Sequence, residues 1–267
     1  MLYFVATPIG NLKDVSYRAI ETLNLVDEIA CEDTRHSAIF LNFYGIKKPL
    51  VSYHKFNEKE AGEKIIEKLK KGLNIAVISD AGMPIISDPG NILVQMLIEN
   101  NLEYTIIPGA SAVVSAFALS GIQGGKFCFI GFLPQKNSQR VELLSKYKNL
   151  DLPLIFYSAP HDIVKDIDTI FNVLGDRPAV AVKEITKLHE KVIRFNLKDG
   201  LSVEPKGEFV LIVDKAEELN FLTTLSEEEH IKHYINQGMD KKEAIKTVAK
   251  ERGVSKSSLY KWTIEKN

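Results

Sequence analysis

Residues 76–90 read AVISDAGMPIISDPG. An apolar run breaks here into two turns, each with an Asp beside residues of small or fixed backbone. A loop that only reversed the chain would need one. Asp80 can accept hydrogen bonds from hydroxyl or ammonium groups, and Ala81 and Gly82 leave the backbone open to a ligand. Two more stretches share this character. In ATPIGN (6–11), Pro8 fixes one turn residue and Gly10 permits close approach. In PGASA (108–112), Ser111 and Ala112 stand just after an apolar run. All three loops follow stretches that read as strands, and open α/β sheets bind ligands at strand ends. They carry little positive charge, which suits a neutral or zwitterionic nucleoside better than a triphosphate. Taken one at a time such turns are structural, and Asp88 reads equally well as a cap on the next helix.

Familiar phosphate cradles are missing. No G-x-G-x-x-G follows a strand, and GIQGGKF (121–127) has the wrong glycine spacing for a P-loop, with Phe127 where Ser or Thr must hold magnesium. There is no H-E-x-x-H, no G-x-S-x-G and no metal-spaced His/Cys cluster. An ATPase, a simple dehydrogenase and a zinc hydrolase all lose ground. Cys31 and Cys128 are far apart, so no disulfide framework is expected and a reducing cytoplasm fits. No apolar stretch approaches the roughly 20 residues of a membrane span, and MLYFVATPIG lacks the basic region of a signal peptide. A net charge of −1 over 267 residues means that any nucleic-acid contact must come from a local patch.

The elements that must position these loops follow from the pattern. Strands are expected at 2–6, 28–32, 74–79 and 104–107, with helices from Asp14, over 57–71, after Gly90 and after Pro108. GIQGGK (121–126) reads as a linker. Strands restart at 127–132, 153–157, 179–184, 191–195 and 208–213, the last two with no helix between them, so part of the second sheet should be antiparallel. The reading is α/β: two α/β domains, 1–122 and 123–216, and a helical tail over 217–267. In the tail, Asp240 and Glu243 form a D-x-x-E capping box, Gly253 breaks the helix and Ser255 can cap another through Leu259, Tyr260 and Trp262. That is a helix-turn-helix layout. From Lys232 to Asn267, nine Lys/Arg stand against four acids, which favours a place near nucleic acid, with Lys256 and Lys261 as contacts.

Taken together, FVATPIGNLKD, EDTRHS, HKFNE, ISDAGMPIISDPG, IPGASAV, FIGFLPQK, KEITKLHE and GEFVLIV resemble, in order and spacing, the ribosomal small-subunit methyltransferases that modify a ribose 2′-hydroxyl. These belong to the tetrapyrrole (corrin/porphyrin) methylase superfamily, and the likeness covers almost all of 1–215. It implies S-adenosylmethionine (SAM) in a cleft between two α/β domains of a homodimer. It also implies methyl transfer to a cytidine in the decoding region of 16S rRNA in the 30S subunit. On this likeness, Pro8, Gly10, Asp80, Ala81, Gly82, Pro84, Ser111, Ala112 and Tyr157 serve the cofactor, while the turn at Asp88 shapes its loop and caps the next helix. Glu184, Lys183 and Lys187 of KEITK are candidates for handling the hydroxyl proton, an effect on the order of 10²–10⁴ in rate. As a surface ion-pair cluster the same residues would be equally ordinary. Asp33, Arg35, His54 and Asn57 are candidates for the RNA side. Two departures stand out: YSAPHD places Ser158 and Asp162 where relatives carry an acid and a base, and Lys183 replaces an Arg, losing a bidentate fork. A corrinoid or other small-molecule methylase of the same fold, and a DNA-binding regulator using the tail, remain as alternatives.

Overall fold

The computed structural model describes residues 1–215, 222 and 225–260. Its first half is built from short, largely apolar runs. Those of β4 (Ile75–Ile78) are buried throughout, as strands covered on both faces must be. β1 (Leu2–Val5), β2 (Glu28–Cys31), β3 (Leu50–Ser52), β4 and β5 (Tyr104–Ile107) form one sheet in the order β3-β2-β4-β1-β5, and every neighbouring pair is parallel. Alternate side chains go to opposite faces. Val5, Ala76 and Ile78 pack under α1 (Tyr17–Leu25) and α2 (Thr34–Phe43); Leu2, Phe4, Ile75 and Val77 pack under α3 (Glu58–Lys70) and α4 (Asn91–Glu99).

The second sheet runs β6-β7-β10-β8-β9, from β6 (Cys128–Phe132), β7 (Leu154–Ser158), β8 (Pro178–Lys183), β9 (Lys191–Asn196) and β10 (Phe209–Val213). Within it β6 and β7 pair in parallel; the remaining pairs are antiparallel, as expected. β9 and β10, read as following each other with no helix between them, are separated by a short 3-10 turn (Leu197–Asp199) and are not neighbours, because β8 lies between them. One face is covered by α6 (Asn137–Ser145) and α7 (Ile163–Leu174). The other face, with Ile155, Val180, Val182, Val210 and Ile212, receives Val113 and Ala116 of α5 (Ala112–Ser120). This helix of small residues, read as the end of the first domain, therefore packs on the second sheet.

Helix α2, strand β3 and helices α6 and α7 have no counterpart in the sequence reading. At the departure positions, Arg140 of α6 is fully buried and pairs with Asp166 at 2.8 Å and Asp162 at 3.5 Å, while Ser158 donates to Asp166 at 2.5 Å. Asp162 and Ser158 thus belong to a buried ion-pair network under the second sheet.

The tail folds as α8 (Glu227–Asn236), α9 (Lys241–Arg252) and α10 (Lys256–Tyr260) around Ile231, Ile245, Val248 and Leu259. Asp240 caps α9 by accepting from Lys242 N–H at 2.7 Å. The reciprocal capping box lies instead at Ser226 and Glu229, opening α8. Gly253 ends α9 in the left-handed conformation. Inside, Arg252 donates to His230 Nδ1 at 3.0 Å and Glu251 holds His230 Nε2 and Tyr234 OH. Lys261 and Trp262 lie outside the described residues.

Candidate active site

In the first sheet β4, β1 and β5 are adjacent and parallel, so the loops 79–90, 6–11 and 108–111 leave the same edge side by side. Between them and the second sheet lies a cleft of about 630 Å³, within the usual range of small-molecule sites. From the first sheet come Asp80, Ala81, Gly82, Asp88, Ser111 and Ala112, with Glu32 from the end of β2. The second sheet contributes Phe129, Phe132, Tyr157, Val182, Val210 and Glu208. A smaller cavity of about 260 Å³ adjoins it, lined by Pro8, Gly10, His36 and Lys187. The two share Ile9, Asp80, Ala81 and Glu208.

Three carboxylates, Glu32, Asp80 and Asp88, stand together in a mostly apolar cleft. Burial, then the charges of Glu32 and Asp80, push the Asp88 carboxyl up to about 6. Burial and the Asp80 charge raise Glu32, against which His54 works in the opposite sense. Burial and the charge of Asp88 push the Tyr157 hydroxyl up to about 12. An acidic floor under aromatic walls favours a cationic or hydroxyl-rich ligand.

The surrounding backbone is held tightly. Thr7 and Gly82 exchange main-chain hydrogen bonds at 2.9 and 3.1 Å, and Ser79 Oγ donates to the Gly82 carbonyl. Ile85 and Ser87 in the 80–90 loop, and Glu184 and Thr186 opposite, have φ between 50° and 76°. A β-branched residue with positive φ is a rare, strained state, and such strain gathers at ligand sites. The two halves touch where Gly10 meets 185–187: a Cβ there would lie 2.6 Å from Lys187 Cγ and 2.9 Å from the Ile185 carbonyl. Asn11 N–H also donates to Thr186 Oγ1 at 3.1 Å.

Of the cofactor candidates, Asp80, Ala81, Gly82, Ser111, Ala112 and Tyr157 line the larger cleft and Pro8 and Gly10 the smaller cavity. Pro84 lines neither and is buried. Asp88 does not cap α4: Gly90 holds that position without a side-chain bond, and Asp88 faces the cleft. Lys187 reaches the smaller cavity, pairing with Glu184 at 3.1 Å and Glu208 at 2.9 Å. Lys183 and Glu184 line neither. Lys183 Nζ turns to the Glu204 carbonyl over the Phe209 ring, and Glu184 accepts from Glu208 N–H. Burial lowers the pKa of Lys187, but its two carboxylate partners outweigh it and hold the ammonium charged.

On the candidate RNA side, Asp33 caps α2 through Arg35 and His36 N–H, while its own N–H donates to Asp80 at 3.3 Å. The Arg35 side chain is 92% exposed. Asn57 accepts from His54 N–H and donates to the Ser52 carbonyl, so it braces its own loop instead of pointing outward. Lys256 is exposed at the start of α10. Glu32, His36 and Glu208 were not singled out from sequence. Their signal was position alone: Glu32 just beyond β2, Glu208 just before β10, and His36 in the first turn of α2.

Comparison with known proteins places this arrangement. A model of the tetrapyrrole (corrin/porphyrin) methylases matches residues 1–200, so fold and cleft are those of a methylase of that class. The chain is 44% identical over 269 residues to ribosomal RNA small subunit methyltransferase I of Halalkalibacterium halodurans, covering 97% of this chain and 93% of the relative. To the protein of the same name from Bacillus subtilis it is 42% identical, covering 97% and 92%. The chain belongs to this methyltransferase family. Among solved structures, diphthine synthase superposes with a TM-score of 0.64 at 18% identity over 80% of this chain and 89% of that one, a likeness of fold.

Proposed function

We propose that this chain transfers a methyl group from SAM to the 2′-oxygen of a cytidine ribose in the decoding region of 16S rRNA. Its partner is then the 30S subunit, and it works in the cytoplasm as a homodimer. The observation that carries this reading is a large acid-floored cleft opening, at Asp80 and Glu208, onto a smaller cavity that holds a charged lysine. The names of its relatives support the same reading.

The residues present fit SAM. Glu32, Asp80 and Asp88 complement its ammonium and sulfonium charges, the backbone at Ala81, Gly82 and Ser111 can meet ribose and carboxylate, and Phe129, Tyr157 and Val210 offer an apolar wall for adenine. When bound, SAM supplies a methyl group on a good leaving group. What the protein must then do is align the 2′-oxygen with it and stabilise the charge that develops there. Lys187, kept charged by Glu184 and Glu208, suits that stabilising role better than the role of a base. The tight contact of Gly10 against 185–187 fixes the distance between the cofactor loops and this lysine.

The test is methyl incorporation from radiolabelled SAM into undermethylated 30S subunits, with free 16S rRNA and a porphyrinoid in parallel. Label in the subunits, lost in Asp80→Ala together with SAM affinity, supports the reading. Label in the porphyrinoid alone would move the acceptor to a small molecule.

A further inference from the structure

Beyond the two cavities, the loop between β3 and α3 carries Phe56 with 95% of its surface exposed. A phenylalanine this open to water gains stability only from something that covers it. Its loop is braced: Asn57 ties the His54 N–H and the Ser52 carbonyl, and Asn57 N–H donates to the His54 carbonyl at 2.9 Å. The Phe56 ring meets the His54 ring edge-on, centroids 6.1 Å apart at 65°. Glu58 accepts from Gly90 N–H at 2.6 Å and from Tyr53 OH at 3.1 Å, joining this loop to the one that floors the cleft.

β2 and β3 are parallel neighbours, so the loop after β3 lies beside the loop after β2 that carries Glu32 and Arg35. His54 is near enough to act on the Glu32 carboxyl inside the cleft. Outside the cleft carboxylates stand exposed Phe56 and Lys55 and the exposed Arg35, which pairs with Asp33 at 3.4 Å. Cations beside an open aromatic face match a single-stranded nucleic acid, whose phosphates meet the charges while a base stacks on the ring.

We propose that Phe56 is a stacking platform for a nucleobase of single-stranded RNA entering the cleft, with Lys55 and Arg35 serving its phosphates. This rests on the RNA reading of the site. The experiment compares wild-type full-length chain with Phe56→Ala and Phe56→Trp. It reads affinity for fluorescein-labelled oligocytidylate, KM and kcat on undermethylated 30S subunits, SAM affinity by calorimetry, and mass by sedimentation. Phe56→Ala should raise both the oligocytidylate Kd and the subunit KM about tenfold, a usual effect of losing one stacked base. It should spare kcat and SAM affinity, and Trp should restore binding. Unchanged Kd and KM in the Ala variant, or no rescue by Trp, would overturn the proposal. So would a change of oligomeric mass, which would assign Phe56 to a contact between copies. Failure of the wild-type chain to label subunits at all would count against the reaction, while oligocytidylate binding still decides the role of Phe56.

Discussion

Asp88 is the residue at which local pattern and structure part. In sequence, Ser87-Asp88-Pro89-Gly90 has the composition of a turn that caps a helix. In the fold, Gly90 takes the cap with φ 143°, and the Asp88 carboxyl faces Glu32 and Asp80. Its pKa of about 6, against an ordinary 3.8, has a signed consequence. Between these values the folded chain binds the proton more tightly than the unfolded one. Stability therefore declines as pH rises through that window, and the cost is fully present above about pH 6. Asp88→Asn should raise Tm at pH 7.5, leave it nearly unchanged at pH 4, and weaken SAM binding, a trade of stability for function. Calorimetry at the two pH values, with SAM titration at the higher one, checks this. An unchanged or lower Tm at pH 7.5 would contradict it. Asp80 was legible because a small-residue turn after an apolar run is a local signal. Glu32 and Glu208 were not, since a lone acid beside a strand says nothing until the topology brings it to the cleft.

Among the elements, the parallel first sheet was legible because four-residue apolar runs alternate with amphipathic helices. Strand β3 has three residues and an edge position, too little for a pattern to form. Nor could local periodicity show that α5 packs on the second sheet, because a helix of small residues names no partner. That packing helps set how the halves meet, and Gly10 is its most sensitive point. In Gly10→Ala the new Cβ would overlap Lys187 and the Ile185 carbonyl, moving the loops apart. A displacement of this kind near reacting groups lowers kcat/KM about 10²-fold, with a stability loss of about 1–3 kcal/mol. Steady-state kinetics and thermal melts read both, and wild-type kcat/KM would show the contact to be unimportant. Arg140 makes a purely structural comparison. Arg140→Met leaves buried Asp166 without its cation and should cost about 3 kcal/mol at pH 7. Burial already raises the Asp166 carboxyl, so protonation should reduce that loss at low pH. Denaturant melts at both pH values test it.

At the scale of the molecule, charge is distributed unevenly about a net of −1. The cleft floor is acidic, its rim carries exposed cations, and α9 exposes Lys241, Lys242, Lys246 and Lys250 on the side away from its Ala244–Ile245–Val248 core. Composition alone flagged this tail, and the fold shows a small core that can present those lysines as a rigid face. If they meet phosphates, Lys246→Glu with Lys250→Glu should weaken RNA binding. With two phosphates of single-stranded RNA no longer neutralised, the slope of log affinity against log salt should become shallower by about 1.4. An unchanged slope would place the tail away from the RNA. The central claim, that this cleft methylates a ribose hydroxyl of ribosomal RNA, has one most direct test. Undermethylated 30S subunits are incubated with the protein and methyl-labelled SAM, and the 16S rRNA is then hydrolysed in alkali. A 2′-O-methyl group blocks cleavage at its own nucleotide, so the expected result is label in an alkali-resistant dinucleotide beginning with cytidine. Label released entirely as mononucleotides would mean methylation on a base and would contradict the claim.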